Sequence, residues 1–124
     1  MSGDWRRFCR TSEFSVEDDA VRVFFSNSRG HLVRVEEREE DYLLSAAVAS
    51  ARLLESVEQP AVFAWTRNRS TQLVGFRVDA RGRMVGEAFV PRAGLQVEEF
   101  RLSLRAVASE CDRLEHLLTG ADNE

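Results

Sequence analysis

An α+β fold, with helices covering one face of an antiparallel sheet, follows from three observations. Apolar residues alternate with period two from Phe14 to Ala49. A second alternating pair flanks the turn Asp79-Ala80-Arg81-Gly82. A 4-3-4-3-4 apolar spacing then runs Phe100, Leu104, Val107, Cys111, Leu114, Leu118. The expected order is α-β-β-β-α-β-β-α, a three-strand meander plus a hairpin, in a single domain over residues 1–124.

Each element has a local reason. Trp5, Phe8 and Cys9 sit at i, i+3 and i+4, which puts them on one face of a short helix over 4–11. Val21, Val23 and Phe25 alternate as a strand, and Asn27-Ser28-Arg29-Gly30 reads as a turn. Val33 and Val35 form the next strand. After the polar break Glu37–Asp41 come Tyr42, Leu44, Ala46 and Val48. Turns this short allow only antiparallel neighbours. Residues 46–57 read equally as strand or helix. Pro60 suits the first turn of a helix over about 60–71, since its missing N–H does no harm there. Gln72–Val78 and Met84–Val90 form the hairpin, and Pro91 ends it because it cannot donate to a ladder. Glu98 and Glu99 open the last helix where its dipole favours acids, and Gly120 suits the cap.

One face of the meander is apolar throughout. The other carries Phe24, Leu32 and Leu43, where a solvated face would be polar. These three are expected to be covered by a helix or another chain.

Composition removes much chemistry. The 124 residues include no lysine and no isoleucine; all 17 basic residues are arginine. Schiff-base catalysis and phosphate-loop or kinase-type nucleotide anchoring by lysine are therefore excluded. The formal net charge is −4, against a dedicated nucleic-acid binder. Charge is uneven: residues 13–41 are acidic, whereas residues 66–92 are basic through Arg67, Arg69, Arg77, Arg81, Arg83 and Arg92. Two cysteines do not make a disulfide scaffold. Cys111 and His116 stand about 140° apart on a helix, so they do not converge on a metal. His31, just after a turn, belongs to no nucleophilic motif. No cofactor, metal or catalytic residue is expected. The first residues carry no apolar signal core and no apolar run is long enough to span a membrane, so a cytoplasmic protein is expected.

Four segments carry a resemblance. They are Trp65 to Val85, Glu87 to Leu95, Glu98-Glu99-Phe100, and Val107 to Leu114. Together they resemble the YbjN-like proteins, which share the fold of type III secretion chaperones. The resemblance implies a homodimer without enzymatic activity. It also implies a partner protein, bound as an extended segment in the chaperones or in a regulatory role in the YbjN-like branch. The expected function is thus a non-enzymatic protein-binding module. Its interface candidates are Trp5, Phe8, Phe24, Leu32, Leu43 and Trp65, with Arg67, Arg69, Arg81 and Arg83 at the basic hairpin end. The alternative is a nucleic-acid-associated regulator using the hairpin arginines, with Trp65, Phe76 or Phe89 stacking on bases.

Overall fold

The computed structural model describes residues 5–26, 29–69, 71 and 73–119. A 3₁₀ turn, Trp5–Cys9, precedes four strands: β1 (Phe14–Glu17), β2 (Ala20–Phe24), β3 (Gly30–Glu37) and β4 (Asp41–Ala49). Helices α1 (Ala51–Leu54) and α2 (Pro60–Asn68) follow, then β5 (Gly75–Val78), β6 (Met84–Pro91) and α3 (Val97–Thr119). The six strands form one antiparallel sheet, ordered β1-β2-β3-β4-β6-β5. The α+β class and the helix-covered sheet are as the sequence predicts.

Three details differ. The meander has four strands rather than three, because Glu17 pairs with Ala20 across Asp18-Asp19. Asp18 takes a φ of 57°, a left-handed conformation that aspartate tolerates through local hydrogen bonding of its short side chain. The expected first helix is a five-residue 3₁₀ turn, and Asp4 lies outside the described residues. The ambiguous stretch divides. Residues through Ala49 are strand, then Ser50 caps α1 by accepting the Leu53 N–H at 3.1 Å. Helix α2 ends at Asn68, and the amide of that residue explains why. Its Oδ1 accepts the Phe76 N–H and its Nδ2 donates to the Phe76 carbonyl, so it serves as a one-residue partner for edge strand β5. The turn residues Asn27 and Ser28, the strand start Gln72 and the cap Gly120 lie outside the described residues.

The core lies between the sheet and α3. Phe100, Leu104, Val107, Cys111 and Leu114 are fully buried, on the face the spacing requires. The Gln96 N–H donates to Glu99 Oε1 at 3.0 Å, which satisfies one orphan donor at the start of α3. Phe100 is the hub of an aromatic cluster. Its ring lies 5.3 Å from Phe8, 5.4 Å from Tyr42 and 6.2 Å from Trp5. The N-terminal turn is fixed to the helix there, and Arg101 Nε donates to the Phe8 carbonyl at 2.7 Å. Further along, Arg105 grips Glu13 with two bonds, at 2.6 and 2.9 Å.

Gly86 on β6 sets how closely α3 approaches. A Cβ at that position would overlap Cys111 Sγ and come within 2.9 Å of Phe76. Gly86→Ala is therefore expected to lower stability by about 1–3 kcal/mol through overpacking. Urea denaturation checks this, with the midpoint falling at unchanged slope.

The Glu13 pair makes a pH prediction. The hydrogen bond from Arg105 holds the Glu13 carboxyl below its usual range, against a smaller effect of burial. A depressed acid stabilises above its unfolded pKa, and the contribution is lost as pH falls through the folded value. Glu13→Gln should therefore be less stable than the wild type at pH 7, by no more than about 1 kcal/mol for so solvated a pair. The gap should close as the pH drops below 4.5.

Candidate functional site

The described helices leave one face of the sheet uncovered. Register places Arg22, Phe24, Leu32, Arg34, Leu43, Val85, Glu87 and Phe89 on it, opposite the side that carries α3. Phe24 and Leu32 are exposed, Leu43 is half-buried, and Phe89 is 54% exposed. Leu43 and Phe89 are direct cross-strand neighbours, and the Arg38 guanidinium lies over the Phe89 ring at 5.3 Å. Phe24 and Leu32 form a second apolar spot on β2 and β3. The structure therefore brings the three expected sheet residues onto one face, but in two spots. Sequence reading missed Val85 and placed Phe89 only in a base-stacking role. The signal was the alternation in β6, where Ala88 and Val90 are buried and Phe89 between them is not.

The sheet has a seam between those spots. Strands β2 and β3 pair as far as Phe24↔Gly30, yet the β3–β4 ladder runs only from Glu37↔Tyr42 to Arg34↔Ser45. Both strands continue past that point without pairing to each other. A groove of about 530 Å³ opens there, with Leu32, Arg34, Ala47 and Val85 among the residues lining it. Side chains take up backbone groups released along the opening. His31 Nε2 lies 2.9 Å from the Ala47 carbonyl, and the Cys111 thiol points at the Ala46 carbonyl from 3.8 Å. Burial pushes that thiol up to about 12.

Trp65, on α2, is the most exposed of the expected aromatic anchors at 61%. Arg69 stacks over its ring at 5.3 Å, with Val62 exposed one turn before. Trp5 differs from expectation. It is 2% exposed, packed against Phe100 beneath the N-terminal turn, and offers no surface to a partner. Its spacing with Phe8 and Cys9 marks the face that enters the core. Phe8 is half-buried in the same cluster.

The arginines of the basic block are spread over several environments. Arg67 reaches toward Glu110 on α3 at 4.0 Å. Arg83 pairs with Asp79 at 2.7 Å, and Arg77 with Glu87 at 3.1 Å. Hydrogen bonds from Arg83 hold the Asp79 carboxyl down at about 2. Asp79 Oδ1 also accepts the N–H groups of Arg81 and Arg83, so it organises the hairpin turn around Gly82, whose φ is 80°. Arg81 stays exposed at the tip. Phe76, a stacking candidate, is buried.

A six-stranded sheet with one face under a long helix and the other bare matches known structures. A chain of the heterodimeric ExoU–SpcU complex, from the type III secretion system of Pseudomonas aeruginosa, superposes with a TM-score of 0.63. It is 17% identical, over 91% of this chain and 93% of that one. A chain of the ExsC–ExsE complex gives 0.56 at 20% identity, covering 84% of this chain and 80% of its own. A chain of the HopA1–SchA chaperone–effector complex gives 0.52 at 14% identity, covering 96% and 88%. The fold is that of the type III secretion chaperones. No protein-family model and no curated protein matches the sequence. Among the described residues no helix is long and apolar enough to cross a membrane.

Cys111 lies beneath the seam, and its reactivity reports whether the sheet is closed there. With its thiol near 12, it should resist alkylation at pH 8 in the folded protein and react at once in denaturant. Rapid alkylation of the native chain at Cys111 would mean that the helix lifts from the seam.

Proposed function

We propose that the protein is a non-enzymatic, chaperone-like module that holds a segment of a partner protein on its bare sheet face and seam. The observation that carries this reading is the apolar set of exposed Phe24, Leu32 and Phe89 with half-buried Leu43, on a face that no described helix covers. Sheet faces of this kind stay soluble when arginines and glutamates border them, and Arg22, Arg34, Glu36 and Glu87 do so here. The fold likeness supports the reading, since the HopA1–SchA structure is described as a chaperone–effector complex.

A second apolar surface supports a homodimer. Trp65, Val62 and Leu73 are all exposed around α2, away from the sheet face. A two-fold contact through them would leave the sheet face free for the partner. Light scattering at micromolar concentration should give twice the chain mass, falling to one chain in Trp65→Ala. A wild-type monomer would end the homodimer reading.

The sheet-face reading has its own test. Phe89→Glu and Leu32→Glu substitute exposed side chains, so thermal midpoints should stay within a few degrees. Both should lose the protein captured by the wild type from its native host, identified by cross-linking, at least tenfold. Capture unaffected by both substitutions would place binding elsewhere.

A further inference from the structure

At the open end of the seam, three side chains from two elements converge. His31 comes from the start of β3, and Asp112 and Glu115 come from the last turns of α3. His31 Nδ1 lies 3.7 Å from Asp112 Oδ1 and 3.8 Å from Glu115 Oε1, and the three donor atoms are all within 4.8 Å of one another.

The other ring nitrogen decides how to read this. Nε2 lies 2.9 Å from the Ala47 carbonyl, a pure acceptor, so the ring proton sits on Nε2. In the neutral ring this leaves the Nδ1 lone pair directed at two carboxylates, beyond hydrogen-bond distance of either. Three acceptors facing one another are held together by a cation between them. A histidine whose far N–H is fixed on a backbone carbonyl is the usual arrangement around a bound metal, because the bond sets tautomer and ring orientation. Asp112 is braced in the same way. Its Oδ2 pairs with Arg29, which also reaches His116 Nδ1 at 2.8 Å, and this leaves Oδ1 toward the site.

We propose that His31 Nδ1, Asp112 Oδ1 and Glu115 Oε1 bind a divalent first-row transition metal of the zinc type. One nitrogen and two carboxylates suit such an ion better than calcium or magnesium, which take oxygen ligands. Bonds of about 2.0–2.2 Å in a tetrahedron put ligand atoms roughly 3.3–3.6 Å apart. The observed separations close to that by small movements, chiefly of Glu115, whose side chain is 45% exposed. His31 and Glu115 both line the groove, so the remaining coordination position faces it. The ion would tie β3 to α3 where β3 has parted from β4, and so set the width of the groove. Spacing along α3 alone does not reveal this site, because its nitrogen comes from a strand 81 residues before Asp112 in the sequence.

Isothermal titration of the full chain with zinc chloride in chelator-free buffer tests the proposal. The expected result is one zinc per chain, at least tenfold weaker in Glu115→Gln and in His31→Gln, with no response to magnesium. Glu115→Gln alters an exposed side chain and should keep the wild-type thermal midpoint without metal, so its weaker binding cannot be ascribed to unfolding. Cobalt(II) should give the intense visible bands of a tetrahedral site. No zinc binding would overturn the proposal. So would binding undiminished in both variants, which would place the metal on other residues such as the cysteines. A chain indifferent to zinc but stabilised on acidification would show that a proton, not a metal, joins His31 to the carboxylates, and would also overturn it.

Discussion

The closeness of α3 to the sheet is the constraint on which the rest depends. It is set where Gly86 lets the Cys111 sulfur and the Phe76 ring occupy the space a side chain would fill. At that spacing six side chains of α3 are fully buried at once, and Phe100 collects Trp5, Phe8 and Tyr42 around one ring. The N-terminal turn is too short to be stable alone, and Arg6 also ties it to the Asp18 carbonyl. It is held by this cluster and by the grip of Arg101 and Arg105 on Phe8 and Glu13. Among the described residues the helix touches β2 and β3, β4 and β6, and the N-terminal turn.

Elements with a strong period were legible in the sequence. The 4-3-4-3-4 spacing places the buried face of α3, and the Asp79–Gly82 turn places the hairpin, because local geometry alone fixes both. The β1–β2 turn was not legible, because Asp18-Asp19 reads as part of an acidic run until Asp18 is seen at positive φ. Trp5 could not be placed from the sequence for a related reason. A tryptophan at helical spacing looks the same whether its face meets a partner or the core, and only the position of Phe100 decides. Phe24, Leu32 and Leu43 were found because they break an expected polar alternation. His31 with Asp112 and Glu115 had no sequence signal, since tertiary packing alone brings them together.

The absence of lysine shapes the surface as well as the chemistry. Every cation is a planar guanidinium that can pair in two directions and lie flat on a ring. Arg38 on Phe89, Arg69 on Trp65 and Arg92 on Tyr42 all do so. Exposed aromatics on the sheet face and on α2 are thereby shielded by charge while remaining available for contact. Cationic cover of this kind opposes aggregation through the two apolar surfaces.

The interrupted ladder between β3 and β4 divides the sheet at one end into two leaflets, β1-β2-β3 and β4-β6-β5. They are joined by the four pairs from Arg34↔Ser45 to Glu37↔Tyr42. Backbone bonds hold the two halves together at that end, while side chains of α3 span them at the parted end. The unpaired ends of β3 and β4 are therefore where the sheet yields first, a local opening that leaves the paired end and the outer ladders intact.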